Sequence, residues 1–183
     1  MNKLYVITGG PGVGKTSLLN ALSTDGITTV PEVARAIIKQ QLATGGDALP
    51  WKNKERYTDL MLAASIQDYR CVVEKQTQRT HLFDRSVIDA VCYAEMIGYS
   101  ISPSVMQTVS TCQYHPTVFI LPPWQEIYET DTERKQTWEE AVYTYQQLKL
   151  IYARYGYEII DVPIGSIEKR KRFIRSWMKS LNV

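Results

Sequence analysis

The chain has 183 residues, about the size of one domain, and 44% of them are hydrophobic, enough for a core. A net charge of +2 argues against an extended nucleic-acid groove, and no apolar run approaches the length of a membrane span. Three scattered cysteines (Cys71, Cys92, Cys112) lack metal-ligand spacing and read as reduced thiols of a cytoplasmic protein.

Met1-Asn2-Lys3 leads directly into an apolar strand-like run, Leu4–Thr8, so no signal peptide is expected. The next nine residues are Gly9, Gly10, Pro11, Gly12, Val13, Gly14, Lys15, Thr16 and Ser17. Gly9, Gly14, Lys15 and Thr16 satisfy the spacing G-x-x-x-x-G-K-[ST]. A helical run with Leu18, Leu19 and Leu22 on one side follows. Strand, loop and helix in that order form a phosphate cradle. The glycines let backbone N–H groups turn inward, and the helix N-terminus adds partial positive charge. Lys15 then reaches the β- and γ-phosphates, and the Thr16 hydroxyl is a Mg²⁺ ligand.

Further strands are expected at Thr28–Val30, His81–Asp84, Thr117–Leu121 and Glu158–Val162, with helical patterns between them. Pro31 is placed at the first position of a helix whose apolar stripe, Val33, Ile37 and Ile38, stops near Gly45-Gly46. A long amphipathic stretch covers 54–78. Ser86 caps a helix that ends by Gly98, with Asp89 in a capping role, and Ser102-Pro103 opens another helix. Thr137-Trp138-Glu139-Glu140 matches a capping box. Behind it Trp138, Val142, Tyr145, Leu148, Tyr152 and Tyr155 share one helical face and read as core, with Gly156 as the stop. KRKR at 169–172 reads as a solvated helix face. His81 and His115, each near the start of a strand, read as structural.

Strands alternating with helices imply a parallel sheet, and ligands gather at the carboxyl ends of its strands. Asp84 closes HLFD there and reads as a second acid on the Mg²⁺ side. Arg85 is placed to pair with Asp84 or Glu32, or to bind a substrate oxygen. Glu32 follows the second strand. It is either a general base for an acceptor hydroxyl or a first-turn glutamate paired with Arg35 at i+3. Arg35 orients Glu32 or holds substrate. The polar segment 128–137 carries Arg134 and reads as a lid closing over the phosphates. Gly165, after the last strand, allows close backbone approach beside a nucleotide base.

Together GGPGVGKTS, VPEVAR, FDRSVIDAVCY, VFILPPWQEIYETDTERK and YEIIDVPIGSIEKR resemble a family of small P-loop domains that carries the AAA name. The set is similar to the kinase domain of bacterial ribosylnicotinamide kinases, and more distantly to deoxynucleoside and nucleoside monophosphate kinases. The resemblance covers most of the chain. It implies a three-layer α/β P-loop NTPase fold: a five-stranded parallel sheet of order 2-3-1-4-5 with helices on both faces, in a single domain over 1–183 with a lid near 124–137. It implies ATP with Mg²⁺ as donor, Glu32 and Arg35 at the acceptor site, Asp84 and Arg85 beside the transferred phosphate, and Arg134 in the lid. FDRS is followed by Val87, where several kinase relatives bring further substrate-reading residues, so no acceptor pocket is carried over residue by residue.

The expected function is transfer of the γ-phosphoryl of ATP to a nucleoside- or nucleotide-like small molecule. The alternative is an ATPase switch acting on a protein partner, which needs a water-positioning residue and a sensor loop; neither is evident. A guanine-specific GTPase lacks its N-K-x-D run. A homo-oligomer is left open.

Overall fold

The structure is a computed structural model and describes residues 3–75, 79–127 and 137–180. Five strands, β1 (Leu4–Gly9), β2 (Thr28–Val30), β3 (His81–Asp84), β4 (Thr117–Leu121) and β5 (Glu158–Asp161), form one sheet of order β2-β3-β1-β4-β5. The recorded pairings of β1 with β3, β1 with β4 and β4 with β5 are all parallel. Helices α1 (Lys15–Ser23), α2 (Val33–Thr44), α3 (Lys54–Glu74), α4 (Val87–Met96), α5 (Pro103–Thr111), α6 (Trp138–Arg154) and α7 (Ile167–Ser180) cover both faces. No helix among the described residues is long and apolar enough to cross a membrane.

Burial follows position in the sheet. The central β1 and β4 are buried along almost their whole length. That is why LYVIT and TVFIL read as continuous apolar runs rather than alternating ones. The edge strand β5 keeps Glu158 and Asp161 exposed. Tyr5, Ile7, Leu82 and Phe119 pack with Leu18 and Leu22 of α1 and Ile174 and Met178 of α7 in one cluster.

The described residues group into two compact units. The first holds most of the sheet with α1, α6 and α7; the second holds α2 to α5. The chain passes from the first to the second at Thr29–Val30 and again at Asp84–Arg85.

Most helix ends follow the sequence signals. Gly45 caps α2 in the left-handed region, Ser102 caps α5, and Thr137 with Glu140 forms the capping box of α6. Pro31 departs from expectation: Glu32 is the N-cap of α2 and Val33 its first residue, so Pro31 lies outside the helix. Its ring fixes the entry to the cap instead. β1 runs one residue further, to Gly9, and β5 stops one residue earlier, at Asp161.

The aromatic face of α6 is only partly core. Leu148 and Tyr152 are buried with Ala141 and Ile151, whereas Trp138, Val142, Tyr145 and Tyr155 are half-buried. The Tyr145 hydroxyl bonds to Asp161 at the sheet edge, which keeps its polar end near solvent. KRKR is also not a uniformly solvated face. Arg170 is buried, and Lys171 lies beside Asp25.

Candidate active site

The cradle is built by β1, α1 and the turn between them. Gly9, Gly12 and Gly14 have φ of 141°, 79° and 77°. A Cβ at Gly9 would lie 2.7 Å from the Leu121 carbonyl oxygen, so β4 excludes any side chain there. Gly14 sits left-handed at the N-cap of α1, with no side chain capping the helix. That end of the helix carries the partial positive charge that favours an anion. Lys15 is buried, and its Nζ donates to the carbonyls of Gly9 (3.1 Å) and Gly10 (3.3 Å), curling over the loop. Thr16 and Ser17 are exposed at the first turn.

Asp84 is buried at the carboxyl end of β3, in register with Ile7 of β1, two residues before Gly9. This carboxylate is held by the sheet and not by a loop. Thr16 and Asp84 offer hard oxygen donors of the kind that Mg²⁺ takes.

Sequence reasoning missed Arg170. Its Nη1 donates to the Val13 carbonyl at 3.1 Å, and its guanidinium lies 5.7 Å from the centre of the Trp124 ring. Burial pulls its pKa below the ordinary arginine value. The available signal was spacing: on α7, Arg170 lies four residues from Ile174 and eight from Met178, both core residues. A basic residue in register with an apolar stripe belongs to the buried face. Gly165 has φ of 146°, and a Cβ there would meet Lys169 at 2.9 Å, so the glycine makes room for a side chain of the following α7.

The second unit carries a separate charged cluster. Arg85 Nε donates to Glu32 Oε1 at 2.6 Å, and Nη1 donates to Asp89 Oδ1 at 3.3 Å. Arg35 stands 3.9 Å from the other Glu32 oxygen. Asp89 also accepts the Ser86 N–H at 2.9 Å, while the Ser86 hydroxyl accepts from the Ile88 N–H. Asp89 therefore serves both as the cap and as an Arg85 partner. Arg85 has φ of 72°, alone among the described non-glycine residues in positive φ. A strained conformation of this kind costs about 1–3 kcal/mol and persists where the surroundings enforce it. Here the β3 end and the α4 cap fix the residues on either side.

Tyr57 lies near this cluster, edge-on to Tyr93 with ring centres 5.7 Å apart. Burial, and then the charge of Glu32, push the Tyr57 phenol well above its usual value, so it stays neutral. Among the sequence-derived candidates, Glu32, Arg35 and Arg85 thus come together in the second unit. The cradle and Asp84 come together in the first. Arg134 and the rest of 128–136 lie outside the described residues.

The family model described as an AAA domain matches residues 4–170. The chain belongs to the AAA domain family. No curated protein matches. Among solved structures, a NadR protein in complex with NR is similar at TM-score 0.71 and 19% identity, over 98% of this chain and 52% of that one. A deoxyadenosine kinase from M. mycoides with bound dATP gives 0.56 and 13%, over 98% and 99%. A thymidylate kinase from Ehrlichia chaffeensis gives 0.62 and 12%, over 98% and 100%. The AAA domain has the fold of P-loop kinases, and it spans about half the length of the NadR chain.

Proposed function

We propose that this AAA domain is an ATP-dependent kinase that phosphorylates a small, nucleoside-like hydroxyl compound. The observation that carries the reading is Glu32. Its carboxylate is oriented by Arg85, which the chain holds in a strained conformation directly after the Asp84 of the cradle. A water-activating switch has no evident use for that arrangement.

In this reading the loop from Gly9 to Ser17 binds the phosphates, and Lys15 leaves the Gly9 and Gly10 carbonyls for the β- and γ-phosphates. Thr16 and Asp84 would hold Mg²⁺, which neutralises phosphate charge when bound. Glu32 accepts the proton of the acceptor hydroxyl as its oxygen bonds to the γ-phosphorus, and the bond to the β-phosphate oxygen breaks with its electrons going to ADP. Arg85 and Arg35 orient Glu32 and the acceptor. Gly165 flanks the base, and the Arg134 expected over the phosphates lies outside the described residues. The Tyr57 and Tyr93 rings, edge-on beside Glu32, are the aromatic surface we assign to a flat acceptor. A hydroxyl is favoured over a phosphate acceptor because Arg85 is already matched by two carboxylates, Glu32 and Asp89. With Arg35 the cluster holds two cations and two carboxylates, so it carries no net positive charge to attract a dianion. The free thiols fit a cytoplasmic site of action.

The test is a pair of assays on Glu32→Gln: ADP release with and without acceptor, over nucleosides, nucleotides and ribosylnicotinamide. Loss of the stimulated rate with survival of the acceptor-free rate is expected. An ATPase switch acting on a protein partner would instead show parallel loss of both rates, or no stimulation of the wild type by any acceptor.

A further inference from the structure

Arg170 is a buried cation on the flank of the phosphate loop, far from it in sequence. A buried arginine is costly unless its donors are matched. Here Nη1 reaches the Val13 carbonyl, while Nε is buried with no acceptor among the described residues. The guanidinium lies beside Gly14: a Cβ at that position would stand 3.0 Å from Nη1 and 3.4 Å from Nη2. Glycine at 14 thus serves two needs, its φ of 77° and the space for this side chain. The cation also lies over the Trp124 ring at 5.7 Å, within cation–π range.

We propose that Arg170 is a positioning residue of the phosphate cradle. It fixes the Val13–Gly14 peptide so that the Gly14 N–H is directed at the bound phosphates. The argument is peptide geometry. In a trans peptide the C=O of one residue and the N–H of the next point in opposite directions. The chain has no cis peptide among its described residues. An arginine pulling the Val13 carbonyl outward, toward α7, turns the Gly14 N–H inward. In a free loop of this composition the same peptide can flip, because glycine at 14 accepts either orientation. Arg170 removes that freedom before the ligand arrives, so less ordering cost falls on binding. The inference rests on the cradle reading of Gly9–Ser17 and adds an α7 residue to it.

The test is calorimetric titration of the full chain with inorganic tripolyphosphate, which has phosphates and no base, and separately with ATP and Mg²⁺. Arg170→Met keeps an apolar stem and removes the fork. Its tripolyphosphate affinity should fall about tenfold, the size expected for loss of one charge-assisted hydrogen bond that holds a binding group. Arg170→Lys, with a single flexible donor head, should recover part of that loss. A merely structural arginine would lower the melting temperature and leave the affinity of the folded protein unchanged; that result overturns the proposal. If Arg170→Met does not fold, Arg170→Lys decides alone: weaker tripolyphosphate binding supports the role, and wild-type affinity overturns it. A wild-type protein that binds neither tripolyphosphate nor ATP overturns the cradle itself, and this inference with it.

Discussion

At the scale of one residue, Lys15 is buried, and in the proposed function it serves the phosphates and not the core. Its ammonium is satisfied by two backbone carbonyls of the loop it is expected to leave when phosphate binds. Removing it takes away a point charge and leaves the apolar core of α1 and β1 intact. Lys15→Ala is therefore expected to keep its fold by circular dichroism and to lose nucleotide binding. In the wild type, ATP at a hundred times its dissociation constant should stabilise the fold by about 2.7 kcal/mol. The same nucleotide should leave the melting curve of Lys15→Ala unmoved. Asp84 tests the proposed metal side of the same loop. Asp84→Asn keeps the shape and removes the charge, so turnover should fall by about 10²–10³-fold, the scale of a lost transition-state electrostatic contact. The Mg²⁺ requirement should rise with it. A normal Mg²⁺ titration would make Asp84 a plain strand-end residue.

At the scale of elements, α4 links fold and site. Ser86 and Asp89 close its capping box, and Asp89 also binds Arg85. Ser86→Ala removes the acceptor for the Ile88 N–H and should cost about 0.5–2 kcal/mol in chemical denaturation. Because the cap also sets the position of Arg85, acceptor-stimulated turnover should fall further than Ser86 alone, as a non-contacting residue, would explain. An unchanged rate in the folded variant would separate the cap from the site. Such cap signals were legible in the sequence because they depend on neighbours one to three residues away. Pro31 was misplaced at the first helical position because proline suits either side of the boundary, and the Glu32 backbone alone decides it.

At the scale of the whole molecule, stability should depend on pH through His115. Its ring stacks on Tyr5 at 4.2 Å, and its Nδ1 accepts the Thr117 N–H at 3.1 Å. Burial lowers its pKa from the ordinary 6.5, while Glu158 opposes the shift. The folded protein therefore resists the proton that the unfolded chain takes up near 6.5. This contribution is fully present above the unfolded value and is lost as pH falls through the folded one. Denaturation midpoints should decline as pH falls below about 6.5 toward the folded value, and His115→Gln should flatten the decline. An equal slope in the variant would assign the effect to carboxylates.

The amino-acid sequence by itself determined the alternation of strands and helices, the glycine-rich cradle, the caps and the identity of the acids at the strand ends. Each depends on local spacing, and local spacing is what a chain displays before it folds. Only the tertiary structure decided the rest. It showed that Arg85 pairs with Glu32 and Asp89 and not only with a neighbour in sequence, that the α6 stripe is core at Leu148 and Tyr152 but not at Tyr145, and that one arginine of KRKR turns inward to Val13 across 157 residues of chain. The reason is physical. A basic residue on an amphipathic helix reads as solvated unless the surface facing it is known, and the surface facing Arg170 is a loop whose carbonyl is presented only once β1, α1 and α7 have packed together.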